Sequence, residues 1–190
     1  LDFAFGQFDL YTPLQLAQYM STIANGGTRI APRLVKEIHE TSPKGGIGNL
    51  EDVIPTKIMN TLQVEKKILD HIKEGLYRVT HGENGTSAST FKNYSPEVAG
   101  KTGTTEAFYS GPNPAYKNEA VENSTFISYA PYDNPEIVVS VVAPYFKDGL
   151  PSDYAAKIAK KVYEAYFGKR SNSETNAATV NTQVQQNNRQ

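Results

Sequence analysis

The distribution of apolar residues predicts an α+β fold, and two observations carry that reading. Helical spacing of apolar positions recurs three times, over 12–24, 64–79 and 151–167. Two β-rich runs, 124–132 and 136–143, are separated only by Asp133-Asn134-Pro135, the pattern of an antiparallel hairpin. With 190 residues, 38% of them hydrophobic, the chain is long enough to bury one core.

Each element has a local cause. Thr12-Pro13-Leu14-Gln15 starts the first helix: Thr12 caps, Pro13 suits the first turn and Gln15 completes a capping box. Leu14, Ala17, Met20, Ile23 and Ala24 then follow at helical spacing until Asn25-Gly26-Gly27 stops the helix. Arg29 to Glu40 reads as short strands interrupted by Pro32, and Thr41 to Asn49 as a turn-rich loop. Ile68, Leu69, Ile72, Leu76 and Val79 give an amphipathic helix whose other faces carry Glu65, Lys66, Lys67, Asp70 and Lys73.

Further along, His81 to Pro96 is loop-like, Val98 to Glu106 reads as a strand, and Ala107 to Glu122 as a second long loop. The hairpin follows, and Pro151 to Phe167 closes the ordered part with Ala155, Ile158, Ala159, Val162, Ala165 and Tyr166 on one helix face. From 169 to 190 the composition collapses to Ser, Asn, Gln and Thr, so residues 1–168 are expected to form the folded unit and 169–190 a disordered polar tail.

Composition excludes several function classes. A net charge of −1 carries no nucleic-acid footprint, and no nucleic-acid partner is expected. The absence of Cys removes disulfides and thiolate chemistry. No apolar run is long enough to span a bilayer. The opening Leu1-Asp2-Phe3-Ala4-Phe5-Gly6-Gln7, without Met, reads as the middle of a longer protein.

The chemistry-bearing stretch is Gly100-Lys101-Thr102-Gly103-Thr104-Thr105-Glu106. Lys101 offers a fixed positive charge, Thr102 and Thr104 offer hydroxyls, and Gly103 leaves the backbone bare. Strand alternation puts Lys101 and Gly103 on one face and Thr102 and Thr104 on the other. An edge strand of this kind presents amides, a charge and hydroxyls to an extended peptide ending in a carboxylate. Lys-Thr-Gly matches the third element of the serine acyl-transfer enzymes that bind penicillin. On the tripeptide alone, a glycine-containing surface strand is the plainer reading.

The flanks change that. Gly6-Gln7 ahead of Thr12-Pro13-Leu14-Gln15-Leu16-Ala17 and Ile23-Ala24-Asn25-Gly26-Gly27 is one feature, and Gly85-Thr86-Ser87-Ala88 ahead of the Lys-Thr-Gly strand is a second. The third is Phe126-Ile127-Ser128-Tyr129-Ala130-Pro131 leading into Ile137 to Val142, and the fourth is the closing helix. In this order they resemble the transpeptidase domain of class B penicillin-binding proteins, over roughly residues 3–167, most like the 2B type of Gram-positive cocci. The resemblance implies an antiparallel sheet flanked by helices, of which this chain supplies the C-terminal portion: the last three strands and the closing helix.

It also implies a function. The family cross-links peptidoglycan by serine acyl transfer on D-Ala-D-Ala stem peptides, and β-lactams acylate the same serine. By analogy, Lys101 keeps the site electropositive, and Thr102 and Thr104 bind the carboxylate of the substrate or β-lactam. The Thr104 amide is one arm of the oxyanion hole, and Gly103 admits the acyl peptide. Lys101 and Thr104 are thus the expected catalytic residues, with Thr102, Gly103 and Thr104 binding substrate. Thr105 and Glu106 read as strand continuation and a solvated acid. No cofactor or metal is implied, divisome proteins are the implied partners, and the implied location is the extracytoplasmic face of the cell membrane.

Two motifs are missing from the sequence. The nucleophile element S-x-x-K belongs far upstream on a helix, whereas only Ser89-Thr90-Phe91-Lys92 matches its letters, in a loop too close to the strand. No S-x-N occurs, and Tyr116-Lys117-Asn118 imitates the Y-x-N variant on the wrong side of Lys-Thr-Gly. This chain alone is therefore expected to be inert, with the nucleophile on a separate upstream piece of the same protein. A penicillin-binding-like sensor that does not turn over, and a serine β-lactamase, are the alternatives. His39, His71 and His81 lack metal-ligand spacing, Gly45-Gly46-Ile47-Gly48 lacks the helix and Lys of a phosphate loop, and the charges over 65–74 form a solvated helix face.

Overall fold

A computed structural model describes residues 9–146, 151 and 153–168. The Gly6-Gln7 pair and the tail from 169 onward lie outside the described residues.

Helix α1 (Pro13–Ala24) begins at the expected capping box: Gln15 N donates to Thr12 Oγ1 at 3.3 Å and Thr12 N donates to Gln15 Oε1 at 2.8 Å. It stops at Asn25, where Gly26 (φ +84°) and Gly27 (φ +101°) reverse the chain through the left-handed region. Strands β1 (Thr28–Ile30), β2 (Glu37–Thr41), β3 (Ile47–Val53) and β4 (Ile58–Thr61) follow, β1 pairing with β4 and β2 with β3, both antiparallel. The loop expected over 41–49 shrinks to a tight turn, since Gly45 (φ +78°) and Gly46 (φ +84°) let the chain reverse and Ile47 pair with Thr41. Strand β3 was hidden by its composition, because Gly48, Asn49, Glu51 and Asp52 are poor strand formers.

Helix α2 (Lys66–His81) buries Leu69, Leu76 and Thr80. The segment expected as loop over 81–96 contains a one-turn helix, α3 (Ala88–Phe91), held by burial of Thr90 and Phe91. Strand β5 (Ala99–Phe108), β6 (Ala120–Ala130) and β7 (Ile137–Phe146) form one antiparallel sheet in the order β5-β6-β7. The loop expected over 107–122 is shorter, 109–119, because Ala107 and Phe108 pair with Val121 and Ala120. A 3₁₀ turn at Pro114–Tyr116, an edge-on contact of Tyr109 with Tyr116 and a tilted one with Tyr145 order it. Helix α4 spans 154–168.

Alternation along β6 sorts the core into two layers. Tyr129, with Ala99 of β5, packs under Met20, Ile23, Ala24 and Leu76 from α1 and α2. Phe126 and Ala130, with Val139 of β7, pack on Phe91 of α3 and on Ala155, Ala156, Ala159 and Tyr163 of α4. The sheet is thus flanked by helices on both faces, an α+β arrangement as expected. The alanines let α4 approach closely, and its one large fully buried residue, Tyr163, donates its hydroxyl to Ser128 Oγ at 2.7 Å.

Polar contacts fix α4 lengthwise. Asp153, at the N-cap position of α4 and buried, accepts from Thr90 Oγ1 at 2.7 Å and pairs with Lys157 at 3.0 Å. Lys160 Nζ donates to the Thr90 carbonyl at 2.8 Å and lies over the Tyr94 ring. Burial pushes the Asp153 carboxyl up, but the Thr90 hydroxyl and the Lys157 ammonium outweigh it and hold the group below its ordinary value of 3.8. A depressed carboxyl stabilises the fold above its unfolded pKa, and that stability disappears as pH falls through the folded value. Asp153→Asn, which keeps a hydrogen-bond acceptor, is expected to cost about 1 kcal/mol at pH 7. Denaturant titrations at pH 7 and pH 3 check this, and the difference from the unsubstituted protein should shrink at the lower pH.

Candidate active site

Strand β5 pairs with β6 along one side, with Lys101 opposite Ile127, Thr102 opposite Phe126, Gly103 opposite Thr125 and Thr104 opposite Ser124. Among the described residues its other side has no strand partner. Two contacts orient the backbone. The Gly103 carbonyl accepts from Thr125 Oγ1 at 3.1 Å and therefore faces β6, whereas the Thr102 carbonyl accepts from Lys101 Nζ at 2.8 Å and faces the open edge. Successive peptide groups of a strand point to opposite sides, so the amides of Thr102 and Thr104 also lie on the open edge. An unpaired N–H row next to an exposed ammonium is an arrangement that receives an extended, carboxylate-terminated chain.

The two strand faces open onto different surroundings. On the α1 side, a groove of about 860 Å³ runs between α1 and β5, with Tyr19, Ile23 and Ile127 forming apolar wall and the β5 residues 101–105, with Thr125, its polar sheet side. Among the described residues its lining holds two cations, Lys101 and Arg29, and no carboxylate, so their field favours anions. Arg29 is held by Gln18, whose Oε1 accepts from Nε at 3.2 Å and from Nη2 at 3.1 Å.

Gly103 is required by the groove side. A Cβ there would meet Thr125 Oγ1 at 2.3 Å, and that hydroxyl is tied to the Gly103 carbonyl. On the opposite face, the hydroxyls of Thr102 and Thr86 are 2.9 Å apart. Thr86 lies in the Gly85-Thr86-Ser87-Ala88 stretch, and nothing in the sequence pairs it with a residue 16 positions on.

The remaining candidates are held elsewhere. Thr105 Oγ1 accepts from Asn123 Nδ2 at 3.4 Å and Glu106 is exposed, in keeping with strand continuation and a solvated acid. Ser89, Thr90 and Phe91 belong to α3 rather than to a loop, and Thr90 and Phe91 serve packing there. Tyr116-Lys117-Asn118 sits in the β5–β6 connection, at the far end of β5 from Lys101. His39 contacts the Gly48 carbonyl and Glu37, His71 lies 3.9 Å from Glu74, and His81 stacks on Tyr77. Among the described residues no group of three metal-ligating side chains exists. No helix among them is long and apolar enough to cross a membrane.

The tight Gly103–Thr125 contact makes a double-substitution test possible. Gly103→Ala overpacks the contact and is expected to cost about 1–3 kcal/mol in unfolding free energy. In a Thr125→Ala background most of that cost should vanish, because the obstructing hydroxyl is gone. A four-variant thermodynamic cycle measures the coupling, and additive costs would mean that Thr125 is not the obstruction.

Comparison with known proteins places the chain in a family. The family model described as the penicillin-binding protein transpeptidase domain matches residues 1–164. Penicillin-binding protein 2A of Bacillus subtilis is 41% identical over 169 residues, which is 88% of this chain and 23% of that protein. Peptidoglycan D,D-transpeptidase MrdA of Haemophilus influenzae is 34% identical over 84% of this chain and 24% of its own length. The solved structure of penicillin-binding protein 2B from Streptococcus pneumoniae superposes with a TM-score of 0.71 at 36% identity, covering 86% of this chain and 26% of that one. The chain spans about a quarter of the length of these relatives. In sequence and in fold, the chain belongs to the transpeptidase domain family of the penicillin-binding proteins.

Proposed function

We propose that this chain supplies the substrate-binding edge of a peptidoglycan D,D-transpeptidase whose nucleophilic serine and S-x-N element lie on an upstream part of the same protein. The observation that carries the reading is the open edge of β5, which presents the Thr102 and Thr104 amides beside the Lys101 ammonium, with both threonines lining the groove and no carboxylate among its described lining residues. The name of the Haemophilus influenzae relative, a peptidoglycan D,D-transpeptidase, supports the same reaction.

In this reading the stem peptide lies along β5 as an added strand. Its terminal carboxylate is drawn by Lys101 and bound by the Thr102 and Thr104 hydroxyls. The serine Oγ attacks the penultimate D-Ala carbonyl, and the Thr104 N–H stabilises the oxyanion that forms. The C–N bond then breaks, the terminal D-Ala leaves carrying the proton, and an amine of a neighbouring stem peptide takes the acyl group and frees the serine. A β-lactam, with an amide carbonyl and a carboxylate in similar places, acylates the same serine. The protein works at the extracytoplasmic face of the cell membrane with divisome proteins as partners, and this chain alone is inert.

Fluorescent-penicillin labelling on a denaturing gel tests the proposal. The full-length parent protein should label and the isolated 20.9 kDa chain should not. Label on the isolated chain would put the nucleophile within it, Ser89 being the first suspect. No label on either would favour the non-catalytic sensor. Lys101→Ala in the parent is expected to slow labelling by about 10²-fold, the usual scale for removing one fixed stabiliser of developing charge.

A further inference from the structure

We propose that Thr86 is a positioning residue for ligand binding: its hydroxyl donates to Thr102 Oγ1 and so turns the Thr102 hydroxyl proton toward the ligand's carboxylate. The inference rests on the transpeptidase reading above, in which Thr102 binds that carboxylate. It adds a residue from outside the Lys-Thr-Gly strand.

The geometry is the starting point. The two hydroxyl oxygens are 2.9 Å apart, and either one is able to donate. Each has a single proton and two lone pairs. If Thr102 donates to Thr86, its proton is spent and only lone pairs face an arriving carboxylate, which repels them. If Thr86 donates, Thr102 keeps its proton for the carboxylate, and the first bond polarises the second. An anion at the open edge therefore selects the order Thr86 to Thr102 to carboxylate.

The backbone on both sides of Thr86 is pinned, so its hydroxyl is delivered at low entropic cost. Gly85 packs against the last turn of α2 so closely that a Cβ would meet the Arg78 and Val79 carbonyls at 2.5 Å each. Ser87 N donates to the Val79 carbonyl at 3.0 Å, and Gly85 N donates to the Gly82 carbonyl at 2.9 Å. Just beyond, Thr90 ties α3 to Asp153 and Lys160 of the α4 segment. Thr86 itself is exposed and Thr102 is half-buried, and Thr102 also lines the groove beside the open edge of β5, so the pair is reachable from there. Both residues are β-branched and stiff at χ1, which keeps the hydroxyls in register.

The test uses the full-length parent protein and two ligands that differ only at the carboxylate: benzylpenicillin and its methyl ester. Second-order acylation rate constants are measured for Thr86→Val, Thr86→Ser and Thr102→Val. Thr86→Val should slow acylation by the free acid about tenfold, the scale of one charge-linked hydrogen bond, and leave the ester nearly unchanged. Thr86→Ser should restore the free-acid rate. Equal losses for acid and ester, or no loss with either, would overturn the positioning role, and thermal melts of each variant separate misfolding from a ligand effect. Thr102→Val separates the two levels of inference: if it slows the acid selectively and Thr86→Val does not, only the Thr86 proposal falls. If neither substitution discriminates acid from ester, the carboxylate site assigned to β5 falls with it.

Discussion

The one-sided pairing of β5 is the constraint on which everything else in this structure depends. Ten consecutive residue pairs with β6 leave no freedom in register, so each side chain of the Lys-Thr-Gly stretch is assigned to a face by parity alone. A slip of one residue would bring Lys101 to the α4 side and aim the amides of Thr102 and Thr104 into β6. The Gly103–Thr125 contact acts as a check on that register: only a glycine fits opposite a threonine whose hydroxyl bonds across to the glycine's own carbonyl.

What the helices contribute is rigidity where this strand begins and on the sheet face behind it. Ala99, where β5 begins, is buried with Met20, Leu76 and Tyr129, and the carbonyl of Val98 accepts from Thr80 of α2. On the other face, Phe91 and Phe126 stack at 5.8 Å between ring centroids, tying the segment that carries Thr86 to β6. The strand thus emerges from a packed origin into an open edge, and Lys101 to Thr104 occupy the transition between the two. Burial stops where the Lys-Thr-Gly triplet starts: Ala99 and Gly100 are buried, and Lys101 is exposed.

The sequence disclosed what is local and hid what is not. The capping box at Thr12 was legible because its partners are three residues apart, and the three helices because their apolar stripes repeat with the helical period. The Lys-Thr-Gly strand and the hairpin after it were legible from alternation. The ends of β5 and β6 were not, because Ala107, Phe108, Ala120 and Val121 become strand only by pairing with one another across the loop. Strand β4 carries no signal of its own beyond four exposed residues and exists as the partner of β1. The contacts that shape the site, Thr86 with Thr102, Thr125 with Gly103 and Thr90 with Asp153, join residues 16, 22 and 63 positions apart, and no periodicity within a window reports such pairs.

An open sheet edge carries a hazard as well as a use, since any extended chain with unsatisfied peptide groups is a possible partner. Here the edge is guarded by charge: Lys101 and Glu106 are both exposed on β5 and bracket the segment from Thr102 to Thr105. A second copy of the same strand laid alongside in parallel register would set Lys101 beside Lys101 and Glu106 beside Glu106, like charges at both ends of an uncharged middle. A short peptide that ends in a carboxylate meets no such obstacle, because its charge cancels the one it encounters. On the proposed reading, the lysine filters what becomes the next strand, admitting a chain terminus that ends in a carboxylate and discouraging a like-charged copy.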